Sequence, residues 1–309
     1  MRLSSVLTLS TALLMAPAAA DPAGRLGLAL GTNKIDGSCK EQRDYEEDFD
    51  AIKAQSGATM VRGYSSSSCN VAQNILPAAK AKGFQVMLGV WPDTDESFQA
   101  DKAALQKFAT DEFAKVLIGV SVGSEALYRG NFTAKQLLDK INEIKRILPK
   151  GVPCGPADSW NKYADGTADD LIRGGVDLLL VNGFAYWQGQ PIAHASETFF
   201  NDISTAIAHI QTVAGGPDKT PAIYVGESGW PSTGGSKYGE AEASTENAAT
   251  YFSQSICGMI KWGINAFVFS AFDEPGKPDS VGKSGQSADE KHWGVMTPDR
   301  KAKYDLKCK

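Results

Sequence analysis

A single (β/α)8 barrel of the TIM type is the α/β fold that this sequence predicts. Eight short apolar or β-branched runs alternate with longer amphipathic ones, and no composition break or low-complexity linker interrupts the alternation. The length that follows an N-terminal leader, about 290 residues, matches one barrel of the usual roughly 250-residue size. Runs such as Leu178-Leu179-Leu180-Val181 are apolar on both faces, as parallel strands buried between helices and a packed interior must be.

The first strand is read at 26–31 and is followed by a helix at 45–55. The second, 59–64, ends in Tyr64 and leads to a helix at 71–82. The third, 85–90, runs into Trp91-Pro92-Asp93 before a helix at 96–113. The fourth, 117–122, continues through Gly123-Ser124 to Glu125, and a helix at 133–148 follows. The fifth, 154–158, ends in Asp158-Ser159-Trp160 before a short helix at 167–173. The sixth, 178–182, ends in Asn182, with Phe184, Tyr186 and Trp187 beyond it and a helix at 196–213. The seventh, 222–227, ends in Glu227, and a helix at 244–262 separates it from the eighth, 266–270, which runs into Phe272-Asp273-Glu274. Asp, Ser or Thr introduces several of these helices as a capping residue. A doubly wound open sheet uses the same units, but Gly27-Leu28-Ala29-Leu30-Gly31-Thr32 lacks the G-x-G-x-x-G phosphate loop expected after its first strand.

Residues 1–20 have the form of a secretory signal peptide: Arg2, a short apolar middle and Ala18-Ala19-Ala20 at the exit. Residues 21–309 are therefore expected to form the barrel, starting at Asp21 and working outside the cell as a monomer. No later apolar run reaches the roughly 18 residues of a membrane span. The formal charge of −5 becomes −6 when Arg2 is removed, and without basic clusters this argues against nucleic acid or an anionic membrane as partner. Three scattered histidines and no C-x-x-C predict neither a metal site nor a cofactor. Phosphate cradling fails at Gly229 and Gly234, where Gly235-Ser236 stands in place of Lys-[Ser/Thr]. Asn131-Phe132-Thr133 is an N-glycosylation sequon in a predicted loop.

Closing the strands into a barrel brings their C-terminal ends to one mouth, where active sites of this fold lie. Glu125 and Glu227 then face each other, ringed by Tyr64, Trp91, Asp158, Asn182, Phe184, Tyr186, Trp187, Trp230, Phe272, Asp273 and Glu274. A lone Glu at a strand end is more commonly an ion-pair or capping residue, and a loop Trp is more commonly packing. The joint pattern points elsewhere: two carboxylates can share acid and nucleophile work on one bond, and aromatics with acidic and amide groups suit a neutral sugar.

Val122-Gly123-Ser124-Glu125-Ala126-Leu127-Tyr128-Arg129 and Val225-Gly226-Glu227-Ser228-Gly229-Trp230-Pro231-Ser232 resemble glycoside hydrolase family 17, in particular its fungal cell-wall branch of β-1,3-glucanases and glucanosyltransferases. Phe267-Val268-Phe269-Ser270-Ala271-Phe272-Asp273-Glu274 and His292-Trp293-Gly294-Val295-Met296-Thr297-Pro298-Asp299 are similar to the family's last strand and closing segment. The resemblance implies a retaining enzyme that cleaves β-1,3-glucan and passes the glycosyl unit to water or to another glucan chain during wall remodelling. It also implies Glu125 as acid/base and Glu227 as nucleophile. Ser124 departs from the Asn that in the wider clan precedes the acid/base and binds the sugar 2-hydroxyl; Asn182 is the expected substitute. The competing reading is a catalytically idle, glucan-binding wall protein.

Five cysteines leave at least one unpaired within the chain. Cys39 and Cys69, in the loops after the first two strands, are expected to pair at the barrel mouth. Cys257 is expected to hold Cys308 and pin the tail, which leaves Cys154 as a buried thiol.

Overall fold

A computed structural model describes residues 23–234, 238–281, 287–288 and 290–308. The expected leader at 1–20, the start at Asp21, and Gly235 and Ser236 lie outside the described residues. Strands β1 (Leu26–Ala29), β2 (Met60–Arg62), β3 (Gln85–Val90), β4 (Leu117–Ser124), β5 (Cys154–Ser159), β6 (Leu178–Asn182), β7 (Ala222–Ser228) and β8 (Asn265–Val268) pair in parallel, each with the next. Leu26 of β1 pairs with Ala266 of β8, and the barrel closes.

Alternation along the strands divides the core in two. Met60, Met87, Ala157, Leu178, Leu180 and Phe267 point inward and fill the barrel, while Leu179, Val181, Leu88 and Val225 point outward to the helices. Both faces of β6 are thus buried, which is why its sequence is an unbroken apolar run. Two glycines make room for the inner layer. A Cβ on Gly27 would lie 2.5 Å from the Phe267 ring, and one on Gly119 would lie 2.6 Å from Leu178.

The outer helices are α1 (Gln42–Ser56), α2 (Val71–Lys82), α3 (Asp95–Phe108), α4 (Ala134–Lys145), α5 (Trp160–Ala164), α6 (Asp169–Arg173), α7 (Ile192–Ala214), α8 (Thr245–Tyr251) and α9 (Cys257–Lys261). Reciprocal capping boxes start three of them: Glu41 with Asp44, Thr94 with Ser97, and Thr133 with Gln136. The helix expected at 96–113 stops at Phe108, because Ala109 leaves helical backbone and Thr110 starts a separate turn at Asp111–Phe113. The helix expected at 167–173 is shorter, Asp169–Arg173, and the α5 turn precedes it directly from the end of β5. The stretch 244–262 contains a π-turn at Phe252–Ile256 between α8 and α9.

Eight strand-helix repeats were expected, yet among the described residues no helix follows β8. An antiparallel pair, Ser280–Val281 with Ser287–Ala288, and an irregular tail take its place. The tail buries Trp293, Val295, Met296 and Leu306. It is tied in by Cys257–Cys308, with Cα atoms 5.1 Å apart, and by Lys303, whose Nζ donates to Asp273 at 2.6 Å. Cys39–Cys69, also at a Cα separation of 5.1 Å, joins the loops after β1 and β2. Cys154 is a free buried thiol in β5. Asn131 is exposed between β4 and α4, its Nδ2 donating to Asp93 at 3.0 Å.

A closed loop of 51 residues makes the tail bridge the larger chain constraint of the two. Replacing Cys257 and Cys308 together by Ser is expected to lower unfolding stability by about 2–5 kcal/mol in equilibrium urea titrations. A loss below about 1 kcal/mol would show that the Lys303–Asp273 pair and the buried apolar side chains hold the tail unaided.

Candidate active site

Glu125 sits just past a strand end that is bent on purpose. The β4–β5 register shifts between Ser121 and Ser124, Gly123 adopts φ +82°, and Glu125 itself adopts φ 55°, a conformation unfavourable for a side chain with a Cβ. Its N–H donates to Ala157 O at 2.8 Å and its carbonyl accepts the Arg129 N–H at 2.8 Å. The side chain points into the mouth, where Asn182 Nδ2 donates to Oε1 at 3.1 Å. Burial first, then the charge of Glu227 and, less, that of Asp158, pushes the Glu125 carboxyl up to about 7, against the opposing Asn182 bond and Arg62. With Oε1 accepting from Asn182, Oε2 is the oxygen left to carry the proton.

Glu227 lies within β7 and is 7% exposed. Its Oε1 accepts from Arg62 Nη1 at 2.8 Å, and the same nitrogen donates to Gly226 O at 2.8 Å. Arg62 is wholly buried in β2, its guanidinium 4.9 Å from the Tyr64 ring centroid. Burial and the Glu227 charge raise the Tyr64 phenol well above its ordinary value. Arg62 Nε and Nη2, Tyr64 Oη and Asn182 Oδ1 make no hydrogen bond within the protein. Gly226 is required here: a Cβ would stand 2.5 Å from Asn182 Oδ1.

The ring of residues expected around this pair divides into two groups. Tyr64, Trp91, Phe272, Asp273 and Glu274 line a cavity of about 1150 Å³ walled by the loops after β1, β2, β3 and β8, whose lining includes neither Glu125 nor Glu227. Arg129 lies 5.0 Å from the Trp91 ring. Asp273 is largely occupied, accepting from Lys303 Nζ and, at 3.0 Å, from Gly294 N–H; Glu274 is half-buried, 3.8 Å from Lys277. On the other side, Trp187 is partly exposed and stacks on Trp293 with centroids 5.1 Å apart, and Phe184 meets Trp293 edge-on at 5.5 Å.

Three residues turn out to be placed differently from a ligand platform. Trp230 is 3% exposed, its indole N–H donates to Glu242 O at 2.9 Å, and Tyr186 and Tyr251 pack against it. Tyr186 is buried in the same cluster. Asp158 is fully buried and accepts main-chain N–H groups from Leu127, Tyr128 and Ser159. Ser124 presents its carbonyl to the Arg129 guanidinium at 2.8 Å.

Two functional positions escaped the sequence reading. Arg62 carried a signal, since a charge inside the apolar run Met60-Val61-Arg62 is tolerated only with a partner. Asp101 of α3 is the other. Its buried carboxylate collects Ser65 Oγ, Ser67 N–H, Ser67 Oγ and Trp91 N–H at 2.6–2.7 Å, fixing the loops that carry Tyr64 and Trp91. Among the described residues no group of His, Cys, Asp and Glu could hold a metal ion, and no helix is long and apolar enough to cross a membrane.

Residues 27–294 match the BtgE/BtgC glycoside hydrolase domain, and the chain belongs to that family. It is 51% identical over 309 residues to a glucan 1,3-beta-glucosidase of Arthroderma benhamiae, covering 100% of this chain and 98% of the relative. A glucan 1,3-beta-glucosidase of Saccharomyces cerevisiae is 40% identical over 319 residues, covering 100% and 99%. Among solved structures, the glycoside hydrolase family 17 beta-1,3-glucanosyltransferase of Rhizomucor miehei superposes with a TM-score of 0.76 at 29% identity, over 91% of this chain and 97% of that one. An active-site mutant of the same enzyme, in complex with laminaritriose, matches at 0.76 and 29% over 90% and 95%. The family 17 resemblance and the closed barrel expected from the sequence both hold.

The coupling of the two glutamates is open to direct measurement. In protein carrying labelled Glu carboxyls, the Glu125 resonance is expected to titrate with a midpoint near 7. Glu227→Gln, which removes the neighbouring charge, is expected to move that midpoint down toward the ordinary range. An unmoved midpoint would show that the Glu227 charge does not contribute to it.

Proposed function

We propose that this chain is a secreted cell-wall enzyme that cleaves β-1,3-glucan with retention and passes the glycosyl unit to another glucan chain or to water. Residues 1–20 would be removed as a leader and residues 21–309 form the working barrel. The observation that carries the reading is the different surroundings of two carboxyls at the barrel mouth. Glu227 is held beside a buried guanidinium at 2.8 Å, whereas Glu125 is pushed up to about 7. The ion pair orients Glu227, and burial keeps the proton on Glu125.

In this reading Glu227 attacks the anomeric carbon while Glu125 delivers its proton to the departing glycosidic oxygen. The bond to the leaving sugar breaks as the ester bond to Glu227 forms. Esterification removes the Glu227 charge that helps hold the Glu125 proton, so Glu125 becomes the base for the second step. It then takes a proton from water or from a sugar hydroxyl, and the incoming oxygen displaces Glu227. Both steps invert the carbon, and the β-configuration is retained.

Asn182 Oδ1, Tyr64 Oη and the free guanidinium nitrogens of Arg62 are the buried polar groups closest in character to sugar-hydroxyl partners. Asn182 is our candidate for the 2-hydroxyl in place of Ser124. Trp187 and Phe184 are the candidate acceptor-side platforms, with Trp230 serving as the packing behind them. A glycan on Asn131 is proposed on the exposed loop after β4.

Because the acid form of Glu125 is needed first, kcat/KM on laminari-oligosaccharides should fall as pH rises through about 7. Glu227→Gln should lower turnover at least about 10⁴-fold with binding retained. The product released first should be the β-anomer by NMR. With reduced laminari-oligosaccharides, chains longer than the substrate indicate transfer and shorter chains alone indicate hydrolysis; unchanged substrate would overturn the enzymatic reading.

A further inference from the structure

Asp158 stands at a strand end, as a sugar-binding carboxylate would, yet its atoms are turned the other way. It is fully buried at the end of β5. Oδ2 accepts the Leu127 N–H at 2.7 Å, and Oδ1 accepts the Tyr128 N–H at 3.1 Å and the Ser159 N–H at 2.9 Å. The first two donors belong to the turn that immediately follows Glu125. The third is its own neighbour and fixes the rotamer. One residue earlier, Ala157 O takes the Glu125 N–H at 2.8 Å. Two consecutive residues of β5 thus hold the chain on both sides of the Glu125 Cα.

That hold has a purpose that local backbone preference cannot supply. A non-glycine residue at φ 55° is strained and persists only where its surroundings impose it. Helix α4 begins only at Ala134, so no regular element supports residues 126–128. A carboxylate is suited to the task because both oxygens accept. An amide in its place would present an NH2 to at least one of these N–H groups, donor against donor.

We propose that Asp158 is a positioning residue for the proton donor: it acts through Glu125, by clamping the 126–128 turn, and does not touch the sugar. The proposal rests on the acid/base reading of Glu125 given above. Misplacing a catalytic group by about 1 Å can cost on the order of a hundredfold in rate. The loss would fall on the steps that move a proton.

The test is leaving-group and nucleophile dependence. Asp158→Asn, checked for an intact barrel by circular dichroism, is expected to turn over laminari-oligosaccharides about 10–100-fold more slowly, with KM changed by less than about threefold. With a dinitrophenyl β-laminaribioside, whose leaving group needs no proton, and azide, which needs no base, its rate should return to within about threefold of the unmodified enzyme. Equal losses on both substrates would mean a merely structural role and overturn the proposal, as would unchanged turnover of the oligosaccharide. Asp158→Glu keeps the negative charge that also bears on Glu125 but displaces it by one methylene, so whether or not the Asn variant folds it must show the same substrate-dependent loss; unchanged oligosaccharide turnover in it would overturn the proposal. Glu125→Gln is the control. If it too fails to recover with the activated substrate and azide, the acid/base reading of Glu125 is what fails; if it recovers and Asp158→Asn does not, only the positioning role falls.

Discussion

A guanidinium sealed from water sets the terms for the rest of this molecule. Arg62 is fully buried, and a buried cation is tolerable only with an anion and further acceptors around it. Glu227 Oε1 and Gly226 O supply these through one nitrogen. Glu227 must stay where the guanidinium needs it, which ties β7 to β2 across the barrel mouth. Its charge in turn acts on Glu125 and Tyr64, both of which it makes harder to ionise. The charge pattern of the site thus follows from burial first and from this one ion pair second.

Around that pair the loops are organised by carboxylates that serve main-chain donors. Asp101 binds the loops after β2 and β3, Asp158 the turn after β4, and Asp273 the tail at Gly294 and Lys303. The β-barrel provides strand ends but not the conformation of what leaves them. An acceptor with two oxygens, anchored in a rigid element, satisfies several N–H groups at once and suppresses alternative turn geometries. Such residues are inconspicuous beside aromatics and the mouth glutamates, yet they hold the loops and turns from which those side chains project.

The eight strands were legible because parallel strands covered on both faces have few polar positions to dilute the signal; β6 and the inner half of β7 are read almost residue for residue. Helix boundaries were less so. The break at Ala109 and the π-turn at Phe252–Ile256 are settled by packing and by the start of a competing turn, which periodicity does not register. Within the site, Glu125 and Glu227 could be picked out by their place after apolar runs. Asp158 and Trp230 share that place but turn inward, one to N–H groups and the other to Tyr186 and Tyr251. Which way a strand-end side chain faces depends on three-dimensional neighbours, and linear order cannot reveal it.

Cys154 gives one last consequence. An unpaired thiol in a protein with two disulfides is ordinarily a nucleophile able to reshuffle them. Here burial first, then the Asp177 charge, pushes that thiol up to about 12, so that at neutral pH it stays a thiol. Inside the folded barrel it is chemically silent. Scrambling therefore begins only after β5 has come out of the core, and covalent heterogeneity accumulating during storage becomes a clock for the opening of the barrel at its fifth strand.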